Sequence, residues 1–210
     1  GGTATFDGNV VDGQDPVAGI GIYVTPGPDY WLSMQSNVSA VFAGNSVSNV
    51  AYGWYLETDE TAPFFSTTVS ASGHTTGGVV TTDIGLFGLG PFSLSGISGM
   101  SVQVLNPGQI QLGIGLVLSG GTVSVDAGTY VETVSIDKRL TLQGPNAGID
   151  PCTGVRGTEA VITSGDPNGT IQVSAADVTI KGIKITGGVY GILAMDAITA
   201  GEGRMLTPVP

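Results

Sequence analysis

Four short stretches of this chain superimpose as apolar, Gly, apolar, apolar: Ile20-Gly21-Ile22-Tyr23, Tyr52-Gly53-Trp54-Tyr55, Ile84-Gly85-Leu86-Phe87 and Tyr190-Gly191-Ile192-Leu193. The first three glycines are spaced 32 residues apart. A period of roughly 20 to 50 residues is the mark of stacked repeats, in which no repeat buries its apolar face alone and each is completed by its neighbours. Such a chain is nearly one-dimensional, so its function is expected along its faces or at its two ends.

Each copy is preceded by a second strand-like run, at residues 4–11, 40–47, 70–76 and 178–186, where apolar residues alternate with small or polar ones. Alternation of this kind marks half-buried strands, and two strands per repeat suit one turn of a coil. The glycine before each apolar pair is expected at a corner, where backbone must bend without a Cβ in the way. Asn9, Asn45 and His74 follow Gly8, Gly44 and Gly73. That slot fits a polar turn or a ladder of stacked side chains.

Composition narrows the choice further. Hydrophobic residues make up 41 % of the 210 positions and charged residues only 11 %, with 35 glycines, which favours short strands joined by tight turns over helices or disorder. All six Lys and Arg lie after position 137, so the first 137 residues carry eleven acids and no base, and the whole net charge of -11 resides there. An acidic, base-free surface repels phosphate backbones, which excludes nucleic acid as a partner and makes an anionic polysaccharide awkward without a bridging cation. Cys152 is the only cysteine, so no intrachain disulfide forms, and it is expected to pack as a small apolar side chain. No stretch reaches 18 consecutive apolar residues, so no membrane span is expected. The opening Gly1-Gly2-Thr3 reads as the interior of a longer or processed chain.

Between the third and fourth copies the pattern changes. Gly90-Pro91 and Asn106-Pro107-Gly108 bracket a stretch rich in Ser, Gly and Leu, read as a connection at 96–108 between coils at 1–95 and a second part at 109–210. Ile110, Ile114 and Val117 have helical spacing, although Gly113 and Gly115 weaken a helix by about 1 kcal/mol each; a short helix covering an exposed core end is expected. Strands are read at 121–125, 130–136, 140–142, 160–163, 170–173, 178–185 and 188–194. Short strands without intervening helices argue for a stacked coil over alternating strands and helices, with a two-sheet sandwich as the competitor.

The segment from Gln109-Ile110-Gln111 through Ser119-Gly120-Gly121-Thr122-Val123-Ser124-Val125 and Val134-Ser135-Ile136-Asp137-Lys138-Arg139 to Gly144-Pro145-Asn146 resembles the opening of a right-handed parallel β-helix of the pectin-lyase-like superfamily. Ala176-Asp177-Val178-Thr179-Ile180-Lys181-Gly182-Ile183-Lys184-Ile185 is similar to the following coil in secreted bacterial surface and repeat members. The resemblance implies an all-β solenoid, here with the family's opening segment in the middle of the chain. Two readings of that order are open, two β-helix pieces in tandem cut from a longer repetitive polypeptide or pieces that stack on each other as a permuted helix. Running on from Pro210 into a second Gly1 would set Gly182 36 residues before the next Gly8, the same separation as Gly8 to Gly44, so that the last coil could be continued by the first coil of a neighbour.

Many such relatives act on acidic polysaccharides, but a lyase site needs clustered carboxylates holding Ca²⁺ beside an Arg or Lys base, and the base-free first 137 residues cannot supply it. The expectation is therefore a non-enzymatic, extracellular or cell-surface structural or adhesive module that assembles head-to-tail with copies of itself into a fibre or is cut from a tandem-repeat surface protein. The alternatives are a polysaccharide-binding module and a polysaccharide lyase or hydrolase of the same fold. Self-association is expected through Thr5, Phe6 and Val10 at one end and Val178, Ile180, Ile183 and Ile185 at the other. Asp7, Asp12 and Asp15 are candidate Ca²⁺ ligands, no other cofactor being expected. Tyr30 and Trp31 are candidate glycan contacts.

Overall fold

The computed structural model describes residues 3–25, 37–58 and 66–195, the side chains of 77–79 excepted. The chain divides into two compact units, Gly1–Gln109 and Ile110–Pro210. Tyr30 and Trp31 lie outside the described residues.

Among the described residues the first unit contains eight strands: β1 (Thr3–Asp7), β2 (Val10–Val24), β3 (Val38–Ala43), β4 (Ser46–Glu57), β5 (Thr67–Ser72), β6 (Thr75–Phe87), β7 (Phe92–Ser95) and β8 (Gly99–Val104). Odd strands pair in the order β1-β3-β5-β7, even strands in the order β2-β4-β6-β8, and every pairing is parallel. Each strand therefore lies on the one that came two before it. Residues 96–108, read from sequence as a connection, carry β8 and complete a fourth layer.

Corners fall at the expected Gly-Asn turns and not at the glycines before the apolar pairs. Gly8, Gly44 and Gly73 join an odd strand to the next even one, with φ of 65°, 59° and 61°, a left-handed backbone that costs a residue with a Cβ about 1 kcal/mol or more. The runs read as single strands, such as 4–11 and 178–186, are each two strands meeting at such a glycine; in the second it is Gly182, φ 68°. Gly21, Gly53 and Gly85, by contrast, lie inside β2, β4 and β6. They are small because the site is crowded: a Cβ on Gly21 would run into Val47 Cγ1, and one on Gly53 would lie 2.9 Å from the Asp83 carbonyl. Only the first two share a register, flanked by Ile20 opposite Tyr52 and Ile22 opposite Trp54. Gly85 lies opposite Tyr55 instead.

Register slips explain the uneven spacing. Val10 faces Ser46 and Ile20 faces Tyr52, so β2 uses four more residues than β4 between the same two points, absorbed in bulges on either side of Asp15. Inside the corner the layers stay aligned: Ile22, Trp54, Ile84 and Val102 form one buried column, and Val24, Leu56, Leu86 and Val104 another.

The second unit opens with α1 (Ile110–Leu116), followed by β9 (Val117–Val125), β10 (Gly128–Val131), β11 (Val134–Ile136), β12 (Thr141–Gln143), β13 (Ala160–Ser164), β14 (Ile171–Val173), β15 (Thr179–Lys181), β16 (Lys184–Gly187) and β17 (Ile192–Ala194). Here each strand from β12 on pairs in parallel with the one three before it, in the orders β9-β12-β15, β10-β13-β16 and β11-β14-β17. The expected helix is present, with Ile110, Gly113, Ile114 and Leu116 buried. The run 130–136 is divided between β10 and β11. Cys152, expected inside, is exposed in the loop between β12 and β13, where its N–H donates to Asp150. The protein is thus mostly β, with parallel sheets, and among the described residues no helix is long and apolar enough to cross a membrane.

Candidate functional site

The chemistry of parallel sheets concentrates at their edges, where N–H and C=O groups lack a strand to pair with. In the first unit, among the described residues, β1 pairs only with β3 and β2 only with β4. In the second, again among the described residues, β15, β16 and β17 each pair on one side, with β12, β13 and β14. The residues expected to carry self-association lie on or beside these edge strands: Thr5 and Phe6 on β1, Val10 at the start of β2, Ile180 on β15, Ile185 on β16, and Val178 and Ile183 beside them.

Burial follows the same gradient at both edges. Phe6 is 44 % exposed, whereas its register partner Phe42 is 6 % exposed, the two rings stacked with centroids 4.9 Å apart. In the second unit Tyr130, Ile162 and Ile185 form a column in which the first two are buried and the last half-buried. Val134, Ile171 and Ile192 repeat this, Ile192 reaching 48 % exposure. Between β1 and β2 the uncovered layer leaves an apolar cavity of about 590 Å³, lined by Phe6, Val11, Ile22, Val24, Ala40 and Phe42 among others.

At the start of the second unit α1 covers the outer edge of β11. Glu132 accepts the N–H groups of Ile110 (2.8 Å) and Gln111 (2.9 Å) at the first turn of α1; burial pushes its carboxyl above the usual range, while these two bonds pull it back. Lys138 Nζ donates to the Gly115 and Val117 carbonyls at the other end (3.2 and 2.6 Å). Gln111 uses both ends of its amide on Ser135 of β11, donating to its carbonyl (3.2 Å) and accepting its N–H (2.7 Å). A side chain there occupies the place of a further strand. Gln109-Ile110-Gln111 and Lys138 were legible as a motif, but their partners, 21 to 24 residues away, have no periodic signal.

Asp7, Asp12 and Asp15 are not brought together, and among the described residues no three metal-ligating side chains cluster. Asp12 accepts Ser48 Oγ (2.9 Å) and Asn49 Nδ2 (2.7 Å) from the next layer, and these bonds hold its carboxyl below the ordinary range. Asp15 folds back on the N–H groups of Val17 and Ala18 (2.9 and 3.0 Å). Both carboxylates serve the bulged stretch of β2. Asp7 ends β1, exposed, next to the corner.

The aromatic residues divide between two environments. Phe42 and Trp54 are buried, with ring centroids 5.0 Å apart, whereas Tyr23 is 52 % exposed and meets Tyr55, which in turn meets Tyr52, both edge-to-face at 5.4 Å. Gly85 gives the Tyr52 and Tyr55 rings their space: a Cβ there would come within 2.9 to 3.0 Å of both. Tyr23 donates a short hydrogen bond to Glu57, and burial together with that carboxylate raises its phenol to about 12.

At the corners, Asn45 Oδ1 accepts both the N–H and the side-chain amide of Asn9 at 2.9 Å, and its own amide donates to the Phe6 carbonyl at 3.1 Å. His74 occupies the same slot one layer on without joining the ladder. Its ring lies 4.5 Å from Trp54 and both nitrogens are buried without a partner, so burial lowers its affinity for a proton.

The chain matches no protein-family model, and neither the search for similar curated proteins nor that for similar solved structures gave a match. The residues themselves carry the functional argument.

Proposed function

We propose that this chain is a right-handed parallel β-helix of the pectin-lyase-like type, acting as an extracellular or cell-surface structural or adhesive module whose copies join head-to-tail. The observation that carries this reading is the pair of uncovered edges: β1 and β2 over an open apolar cavity, and β15 to β17 with their core columns half exposed. Fully burying a Phe, Ile or Val side chain contributes roughly 1.5–3 kcal/mol, and Phe6, Ile185 and Ile192, each partly exposed, gain part of that on being covered. The two edges differ, which makes their contact heterologous and the product a chain of subunits. In this reading the surface performs no reaction; the work is mechanical, done by backbone hydrogen bonds that continue from subunit to subunit.

Sedimentation velocity over a dilution series, with electron microscopy of the same samples, tests the proposal. Association that grows with concentration and elongated particles are expected; a monomer at every concentration, with no fibres, ends it.

A second reading, binding of a polysaccharide, is favoured by the partly exposed cluster of Tyr23, Tyr52 and Tyr55 beside Glu57. Ring faces stack on sugar rings, and the acidity of this unit selects neutral over anionic polymers. Co-sedimentation with an insoluble neutral polysaccharide, lost in Tyr23→Ala, is the expected result, and no retention of the unaltered protein overturns it.

A further inference from the structure

We infer that the partner of the β1–β2 edge is the β15–β16 edge of a second copy, in the register that sets Gly182 over Gly8; this rests on the head-to-tail reading and gives it an atomic alignment. The argument begins with the corners. Gly8, Gly44, Gly73 and Gly182 share one backbone state, with φ between 59° and 68°, and in the first unit corner glycine stacks on corner glycine: Asp7 pairs with Ala43 and Ala43 with Ser72, each the residue before its glycine.

Inward-facing residues on the two sides of these corners are five positions apart. Phe42 and Val47 flank Gly44, both buried. Phe6 and Val11 flank Gly8 in the same way and line the open cavity. Ile180 and Ile185 flank Gly182, stacked on buried Leu142 and Ile162. Laying Gly182 on Gly8 therefore puts Ile180 over Phe6 and Ile185 over Val11, apolar on apolar on both sides of the bend. A slip of one residue turns every one of these side chains to the opposite face, and a slip of two takes the corners off one another.

The same register decides the outer face. Lys181 falls beside Asp7, both exposed. Charge over the two edges is complementary: β1 and β2 hold Asp7, Asp12 and Asp15 with no base, and β15 and β16 hold Lys181 and Lys184 with no acid. Complementary charge fixes register and suppresses wrong pairings more than it adds affinity, and like-charged edges keep a β1–β2 edge from joining its own kind.

Charge reversal, read by sedimentation velocity, tests the alignment. Asp7→Lys or Lys181→Asp alone is expected to weaken association about tenfold, and the two together in one chain to recover most of it. In a Cys152→Ser background, Thr5→Cys with Thr179→Cys is expected to cross-link between subunits with a short bis-thiol reagent, because those positions face each other in this register; Thr5→Cys with Thr186→Cys is expected not to. Unaltered protein that assembles while the reversals have no effect, or a cross-link in the second pair only, overturns the register and leaves head-to-tail assembly standing. Unaltered protein that never associates overturns both.

Discussion

The two units solve one problem in different ways. The second begins with a helix whose ends are held by Glu132 and Lys138 and whose Gln111 amide pairs with β11 as a strand would. The first begins with two strands over an open apolar cavity. Stacked parallel sheets have no natural end, because each layer is satisfied only by the next. The contrast teaches that a side chain can imitate a strand's hydrogen bonds along one edge, as Gln111 does over β11, and that an edge without such a side chain is left ready to be paired.

The sharpest way to break this comparison is along one core column. Ile162→Ala, buried between Tyr130 and Ile185, is expected to cost about 2–5 kcal/mol, read by chemical denaturation, whereas Ile185→Ala at the half-covered edge is expected to cost less than half as much in the monomer. Equal losses would mean that the last layer is as well packed as the middle one. Next in size are the glycines. Gly21→Ala has to displace Val47 and is expected to cost about 1–3 kcal/mol by overpacking, while Gly8→Ala, in open space but at φ 65°, is expected to cost roughly 1 kcal/mol from backbone strain alone. The reverse order would return the corner to Gly21.

Uncovering the β11 edge is expected to be milder. Gln111→Ala deletes both bonds to Ser135 and is expected to cost about 1–2 kcal/mol in the second unit, with faster amide exchange along β11 as the local signature; unchanged exchange there would show that the helix covers the edge without this side chain. The smallest effect concerns His74. Its folded-state affinity for a proton is depressed by burial, so the unfolded chain takes up the proton first as pH falls. Stability is then expected to be full above the ordinary histidine value of about 6.5, to decline as pH drops through it, and to level off below the depressed folded value, with a slope no steeper than about 1.4 kcal/mol per pH unit. His74→Asn, matching Asn9 and Asn45, is expected to remove that slope; its persistence in the variant would assign it to other groups.

Much of this arrangement is legible in the amino-acid order, and the errors have physical causes. The recurrence of apolar side chains on two strands per layer is visible because stacking demands it. The turn at Gly8-Asn9 and Gly44-Asn45 is marked by its residue types, yet the runs across it read as single strands because apolar residues recur on both sides. The five-residue step from Phe6 to Val11, or from Phe42 to Val47, is the break in alternation that divides them. Gly21, Gly53 and Gly85 attract notice by their spacing, yet two answer to crowding inside the corner and the third to two tyrosine rings. Asn49, at φ 54° where the ladder between β4 and β6 slips by one, has no sequence mark beyond being an asparagine, a residue that tolerates this backbone. The three aspartates near the start look like a cation site in one dimension; in three they are spread over a strand end, a contact between layers and a local turn.

The bulged stretch of β2 has a consequence for how such a chain can change. Four residues more than its neighbour needs are taken up between Asp12 and Ile20 while Ile22 and Val24 keep their places above Trp54 and Leu56. Length is therefore decoupled from pitch: a layer can lengthen or shorten outside its corner without moving the columns that hold the layers together. Insertions in this stretch, up to a grafted loop with a binding role of its own, would hang from the surface of an undisturbed stack.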